Sequence, residues 1–114
     1  MASNASIVVH FKDLEVDEEI RAAIERRCDV LSGEFREVER IELTLFEQGT
    51  GFEAHGHVLG KNTNVATQAH AEAARPASDQ VLNRIERQLR KEHDKRIFSR
   101  RRGARKDPWK RREA

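Results

Sequence analysis

A chain of 114 residues and 13.2 kDa leaves room for one hydrophobic core. With 37% hydrophobic residues, 37% charged residues and a mean hydropathy of −0.82, it sits at the polar end of sequences that still fold. No stretch approaches the roughly 20 apolar residues that span a bilayer, Met1-Ala2-Ser3-Asn4-Ala5 lacks a signal-peptide layout, and the single Cys28 excludes an internal disulfide and a paired-cysteine zinc site. A cytoplasmic protein with no membrane partner is expected.

The net charge of +2 conceals an asymmetry. Residues 1–83 hold eight Lys/Arg against fifteen Asp/Glu, and residues 84–114 hold fourteen against five. Positive charge gathered into the last quarter is the electrostatic footprint of a nucleic-acid binder, although an anionic membrane surface would also attract it.

Ser6-Ile7-Val8-Val9-His10-Phe11 alternates loosely and is rich in β-branched residues, which reads as a strand. Asp17 then offers a helix cap, and Glu18 and Glu19 suit the positive end of the helix dipole. Ile20, Ala23, Ile24, Cys28 and Leu31 recur at spacings of three and four, so a helix is predicted over about 17–32, with Gly33 as its stop. Ile41, Leu43 and Leu45 alternate with Glu42, Thr44 and Phe46 in a second strand. Gly49-Thr50-Gly51 reads as a turn, Phe52 to Gly60 as a third strand, Lys61-Asn62-Thr63-Asn64 as a hairpin loop, and Val65 to Ala71 as a fourth strand. Pro76 fits a first helical turn, and Val81, Leu82, Ile85 and Leu89 carry a second helix over about 75–97. Ser99 to Ala114 lacks apolar periodicity and reads as a flexible basic tail, giving a folded domain over 1–98 and a tail over 99–114.

The predicted fold is therefore α+β, in the order β-α-β-β-β-α. A four-stranded sheet carries both helices on one face, its other face is wet, and the last three strands form an antiparallel meander. Helix one supplies the crossover that lets the first strand lie parallel to a later one, whose identity the sequence leaves open.

On helix two, Arg84, Arg87, Lys91 and Lys95 gather on the side away from the apolar stripe. Like charges at i,i+4 weaken an isolated helix, so such a row is better explained by an anionic partner, with a solvated face paired through Glu86, Glu92 and Asp94 as the plain alternative. Helix one adds Arg26 and Arg27, with Arg21 one turn earlier and Glu25 and Asp29 as local partners. His55 and His57 share one face of strand three, and His10 and His70 come near them if their strands adjoin. That face also carries Glu53 and Gln68, no helical His-Glu spacing is present and nothing supplies supporting partners for a ligand set, so a wet sheet face is the better account. Cys28 reads as a small buried hydrophobe. Neither a nucleophile elbow nor a glycine-rich phosphate loop occurs, which leaves catalysis, a cofactor and a small-molecule substrate without an anchor. Trp109, among the cations of Lys106 to Arg112, reads either as a residue that stacks on an unpaired base or as an inert tail residue.

The element order, together with Ile85-Glu86-Arg87-Gln88-Leu89-Arg90-Lys91-Glu92-His93-Asp94-Lys95, resembles the short ribosome hibernation-promoting factors and ribosome-associated translation inhibitors of bacteria. Ala77-Ser78-Asp79 is similar to that family's alanine-apolar-aspartate, and Ile20 through Leu31 with Arg26-Arg27 to its first helix. Ala73, Arg75 and His93 stand where the family has aspartate, tyrosine and lysine. The resemblance implies a non-enzymatic protein that binds the small ribosomal subunit and its rRNA, in the channel where mRNA and tRNAs pass, and stores an inactive ribosome, with a second hibernation factor as a further partner. The basic row of helix two, the arginines of helix one and the basic tail, which is not a family constant, offer Arg26, Arg27, Arg84, Arg87, Arg90, Lys91, Lys95, Arg100, Arg101 and Arg102 as RNA contacts. Long members add a C-terminal dimerisation domain for which 114 residues leave no space, so ribosome pairing through it is not expected. Two alternatives stay open: a free double-stranded-RNA-binding module, and a small metal-dependent enzyme using His55, His57 and His70.

Overall fold

A computed structural model describes the backbone of residues 5–105 and the side chains of residues 5–94. Its elements follow the expected order: β1 (Ser6–Phe11), α1 (Glu18–Glu34), β2 (Val38–Gln48), β3 (Gly51–Gly60), β4 (Thr63–Ala71) and α2 (Ala74–Arg105). The sheet order is β1-β2-β3-β4, antiparallel except for the parallel β1–β2 pair that α1 connects. The parallel neighbour left open by the sequence is thus β2. In register, Ile7 and Val9 lie beside Ile41 and Leu43 on the core side, and Val8 and His10 beside Glu42 and Thr44 on the other.

Asp17 caps α1, its Oδ1 accepting the backbone N–H groups of Glu19 at 3.0 Å and Ile20 at 3.2 Å. Gly33 is not the stop that the sequence led us to expect. The helix passes through it to Glu34, and the cap is Phe35, whose N–H donates to the Leu31 carbonyl at 2.8 Å. Burial of the Phe35 ring decides the exit, since a ring sealed in the core at 2% exposure outweighs the local signal of a glycine.

The helices share one face of the sheet, α1 over β1 and β2 and α2 over β3, β4 and part of β2. Ile20, Ile24, Cys28 and Leu31 of α1 and Val81, Leu82, Ile85 and Leu89 of α2 close on Ile41, Leu43, Leu45, Ala54, Val58, Val65 and Ala69. Burial pushes the Cys28 thiol up to about 12, with Asp29 adding to the effect, so at neutral pH it stays protonated and acts as a packed hydrophobe.

The hairpins are tighter than predicted. Gln48 pairs with Gly51 across Gly49 and Thr50, where Gly49 takes a φ of 65°, and Gly60 pairs with Thr63 across Lys61 and Asn62, where Asn62 takes a φ of 54°. Thr63 and Asn64 therefore belong to β4 rather than to a loop. Near this hairpin β2 bulges between Val38 and Arg40, and the Glu37 carbonyl accepts the Lys61 N–H at 3.0 Å. Gly60 lies so close beneath that carbonyl that a Cβ would overlap its oxygen.

α2 runs to Arg105 instead of ending near 97. Apolar periodicity marks only the part of a helix that touches the core; beyond it arginine and lysine are good helix formers and no proline intervenes before Pro108. The side chains of Lys95, Arg100, Arg101 and Arg102, and all of residues 106–114 with Trp109, lie outside the described residues. Among the described residues no helix is long and apolar enough to cross a membrane.

Candidate nucleic-acid interface

The outward surfaces of α1 and α2 hold the charged groups singled out in the sequence, and their contacts divide them. Arg27 is half-buried between the helices. Its Nη2 donates to Asn83 Oδ1 at 2.6 Å and to Glu86 Oε1 at 3.2 Å. From the other side Arg90 Nη2 reaches Glu86 Oε2 at 2.7 Å and Glu34 Oε2 at 3.1 Å, while its guanidinium lies 5.5 Å from the centre of the Phe35 ring. One carboxylate thus grips two arginines, one from each helix. The Arg90 hydrogen bond is the main reason that the Glu86 carboxyl titrates below its ordinary 4.5, helped by Arg27 and opposed by slight burial. Arg90 is pushed upward in turn, by its bonds to Glu86 first and Glu34 second.

Arg84 takes a third role. It is exposed, yet its Nη1 donates to the backbone carbonyl of Gln68 on the edge strand β4. A cation on a free edge carbonyl blocks strand addition there. Arg26, Arg87 and Lys91 are also exposed, and among the described residues they form no hydrogen bond or ion pair. Arg87 and Lys91 stand one turn apart and, with Asn83, Glu86, Arg90 and Asp94, line a shallow open groove along α2. Arg21 pairs with Glu25 at 3.5 Å, an ordinary exposed i,i+4 bridge.

The structure therefore brings Arg27 and Arg90 together and leaves Arg26, Arg87 and Lys91 facing water. Asn83, Glu34 and Phe35 were absent from the sequence reading. The Glu86–Arg90 pair is legible there as an i,i+4 spacing, whereas the bond from Arg27 spans 59 positions and has no local signal.

The opposite face of the sheet gathers four histidines. His10 lies beside Thr44, His55 across from Gln68, and His70 across from Glu53, whose carboxylate stands 3.6 Å from His55 Nε2 and 3.9 Å from His70 Nδ1. His57 Nε2 is 3.0 Å from Asn64 Oδ1, and the His55 ring meets Phe46 edge-on at 5.0 Å. The cross-strand proximity raised by the sequence holds for His70, whereas β2 separates the strand of His10 from β3, and among the described residues no three His, Cys, Asp or Glu side chains are grouped to hold a metal ion.

A mixed sheet with one bare face and a pair of helices on the other, in the order β-α-β-β-β-α, defines a class of small α+β domains. Within it, the chain belongs to the family described as Sigma 54 modulation protein / S30EA ribosomal protein, whose profile matches residues 7–97. Solved structures share the fold, and two of them are similar over most of the chain. One is described as a ribosomal subunit interface protein from Coxiella burnetii, with a TM-score of 0.71 and 15% identity, covering 78% of this chain and 98% of the other. The second is the N-terminal domain of Thermus thermophilus Protein Y, with a TM-score of 0.65 and 20% identity, covering 77% and 97%. Comparison with curated protein sequences finds no match.

Proposed function

We propose that this protein is a non-enzymatic, ribosome-associated factor of the cytoplasm that docks its helix pair on rRNA of the small subunit, occupies the channel for mRNA and tRNA, and holds the ribosome inactive. Membership of the family and the subunit-interface description of one structural neighbour support ribosome association. The observation that carries the chemistry is the exposed set Arg26, Arg87 and Lys91, which no carboxylate of the described residues neutralises. Cations left to water on rigid helices meet phosphates with little loss of side-chain contacts, and a folded body recognises rRNA by shape and charge.

Sucrose-gradient sedimentation with purified 30S and 50S subunits and with 70S ribosomes tests this reading. Co-migration with 30S and 70S particles, together with reduced binding of mRNA and initiator tRNA, is expected. Migration at the top of the gradient, alongside tight binding to an isolated RNA duplex, would instead make the protein a free double-stranded-RNA-binding module.

A further inference from the structure

The bracket around Glu86 leaves a feature that stability alone does not explain. A guanidinium offers five N–H groups on three nitrogens, yet Arg27 and Arg90 each direct only Nη2 at protein oxygens. Among the described residues, the Nε and Nη1 edges of both make no hydrogen bond. The two guanidinium groups thus stand on either side of one carboxylate with the Nε–H and Nη1–H groups of each still able to donate, beside the groove lined by Arg87 and Lys91. Two arginines brought this close repel unless an anion lies between them, and Glu86 is that anion.

We propose that Glu86 is a positioning residue which holds Arg27 and Arg90 as a preformed seat for a phosphate of an RNA backbone. The inference rests on the helix pair being the RNA-binding surface. Arginine loses several rotors' worth of freedom when it binds, and a side chain already fixed through one nitrogen loses less. Its remaining Nε–H and Nη1–H groups then donate singly to phosphate oxygens from a fixed position, which a wandering side chain occupies only a fraction of the time. Arg87 and Lys91 supply the net positive field that Glu86 and Glu34 subtract from the bracket. Glu86 therefore acts through the arginines and does not touch RNA itself.

The sign of one substitution separates positioning from charge. Glu86→Ala removes a negative charge from a polyanion-binding surface, so charge alone makes binding tighter. Loss of positioning makes it weaker, by about tenfold for two arginines set free. Affinity is measured for purified 30S subunits and for a synthetic RNA hairpin, in the parent, Glu86→Ala and Glu86→Gln, with thermal melting to confirm folding. The same changes are placed in an Arg27→Ala/Arg90→Ala background. Weaker binding by Glu86→Ala, a smaller loss for Glu86→Gln (which keeps an acceptor oxygen), and no further loss in the arginine-free background are expected. Should Glu86→Ala fail to fold, Glu86→Gln carries the same comparison. Tighter or unchanged binding overturns the proposal, and so does an equal loss in the arginine-free background, which is the mark of a merely structural role. A parent that binds the hairpin but not 30S subunits overturns the ribosomal reading, while the Glu86 comparison is still read on the hairpin. Binding to neither overturns both.

Discussion

The two broad faces of this molecule are both polar, and they are organised differently. On the helix face, bonds join residues far apart in sequence: Arg27 of α1 to Asn83 and Glu86 of α2, and Arg90 of α2 to Glu34 of α1. On the bare sheet face, contacts run between facing strands, as Glu53 with His70 and His57 with Asn64. The helix face joins Arg27, Glu34, Glu86 and Arg90 in one network and leaves Arg26, Arg87 and Lys91 exposed without partners among the described residues. The proposed interface rests on these unpaired cations rather than on density of charge.

The largest effect that can break this comparison is on binding. Replacing Arg87 and Lys91 together with alanine is expected to weaken association with 30S subunits by at least about tenfold near 0.1 M salt, and to flatten the salt slope by about 0.7–0.9 per lost phosphate contact. His55→Ala with His57→Ala, on the other face, leaves both quantities unchanged. Titrations at several salt concentrations read the two variants side by side, and a loss confined to the histidine variant would exchange the roles of the faces.

Next in size are changes beneath both faces. Leu89→Ala removes a fully buried side chain from the junction of helix and sheet and should cost about 2–5 kcal/mol in chemical denaturation, without altering the salt slope of whatever folded protein remains. Gly56→Ala acts from the sheet side of the same junction, where a Cβ would stand 2.6 Å from Ile85 Cδ1. Because the obstacle is the end of a side chain, a smaller loss of about 1–3 kcal/mol is expected.

The pH dependence of the bracket is the finest of these tests. A carboxyl with a folded-state pKa below its ordinary 4.5 contributes stability that is fully present above that value and is lost as pH falls through the lower, folded-state one. With Glu86 about a third exposed, solvent screens the bracket and the effect stays below about 1 kcal/mol. Acid titration of the parent against Glu86→Gln checks it: the parent loses its advantage as pH falls below 4.5, and parallel curves would show that the bracket does not hold the helices together.

The sequence discloses what depends on period and misses what depends on pairing across the fold. The stripes of Ile20 to Leu31 and Val81 to Leu89, and the alternation of Ile41, Leu43 and Leu45, are written at spacings that two helices and a strand must follow, and all but Ala23 of α1, half-buried, are buried. Gly33 misled because the exit of α1 is decided by a core position for Phe35 that local chemistry does not show. The end of α2 misled because a helix that leaves its sheet no longer carries an apolar stripe. Helical phase also set Arg87 and Lys91 on the outside, but it left Arg84 among their equals, because the edge of β4 that receives it is a tertiary feature. The sequence offers Arg27 only local partners in Glu25 and Asp29, and the packed helices alone reveal that its head turns to Glu86.

Gly60, pressed beneath the Glu37 carbonyl, has a consequence at the level of the gene. A glycine codon is GGN, and every single-base change that alters its meaning yields alanine, valine, aspartate, glutamate, arginine, serine, cysteine, tryptophan or a stop. Each of those amino acids carries a Cβ, and here a Cβ meets backbone, which has no rotamer with which to yield. No small mutational step leads away from position 60. A lineage departs from glycine there only after the bulge at Val38 has been rebuilt, so the hairpin and the bulge must be inherited together.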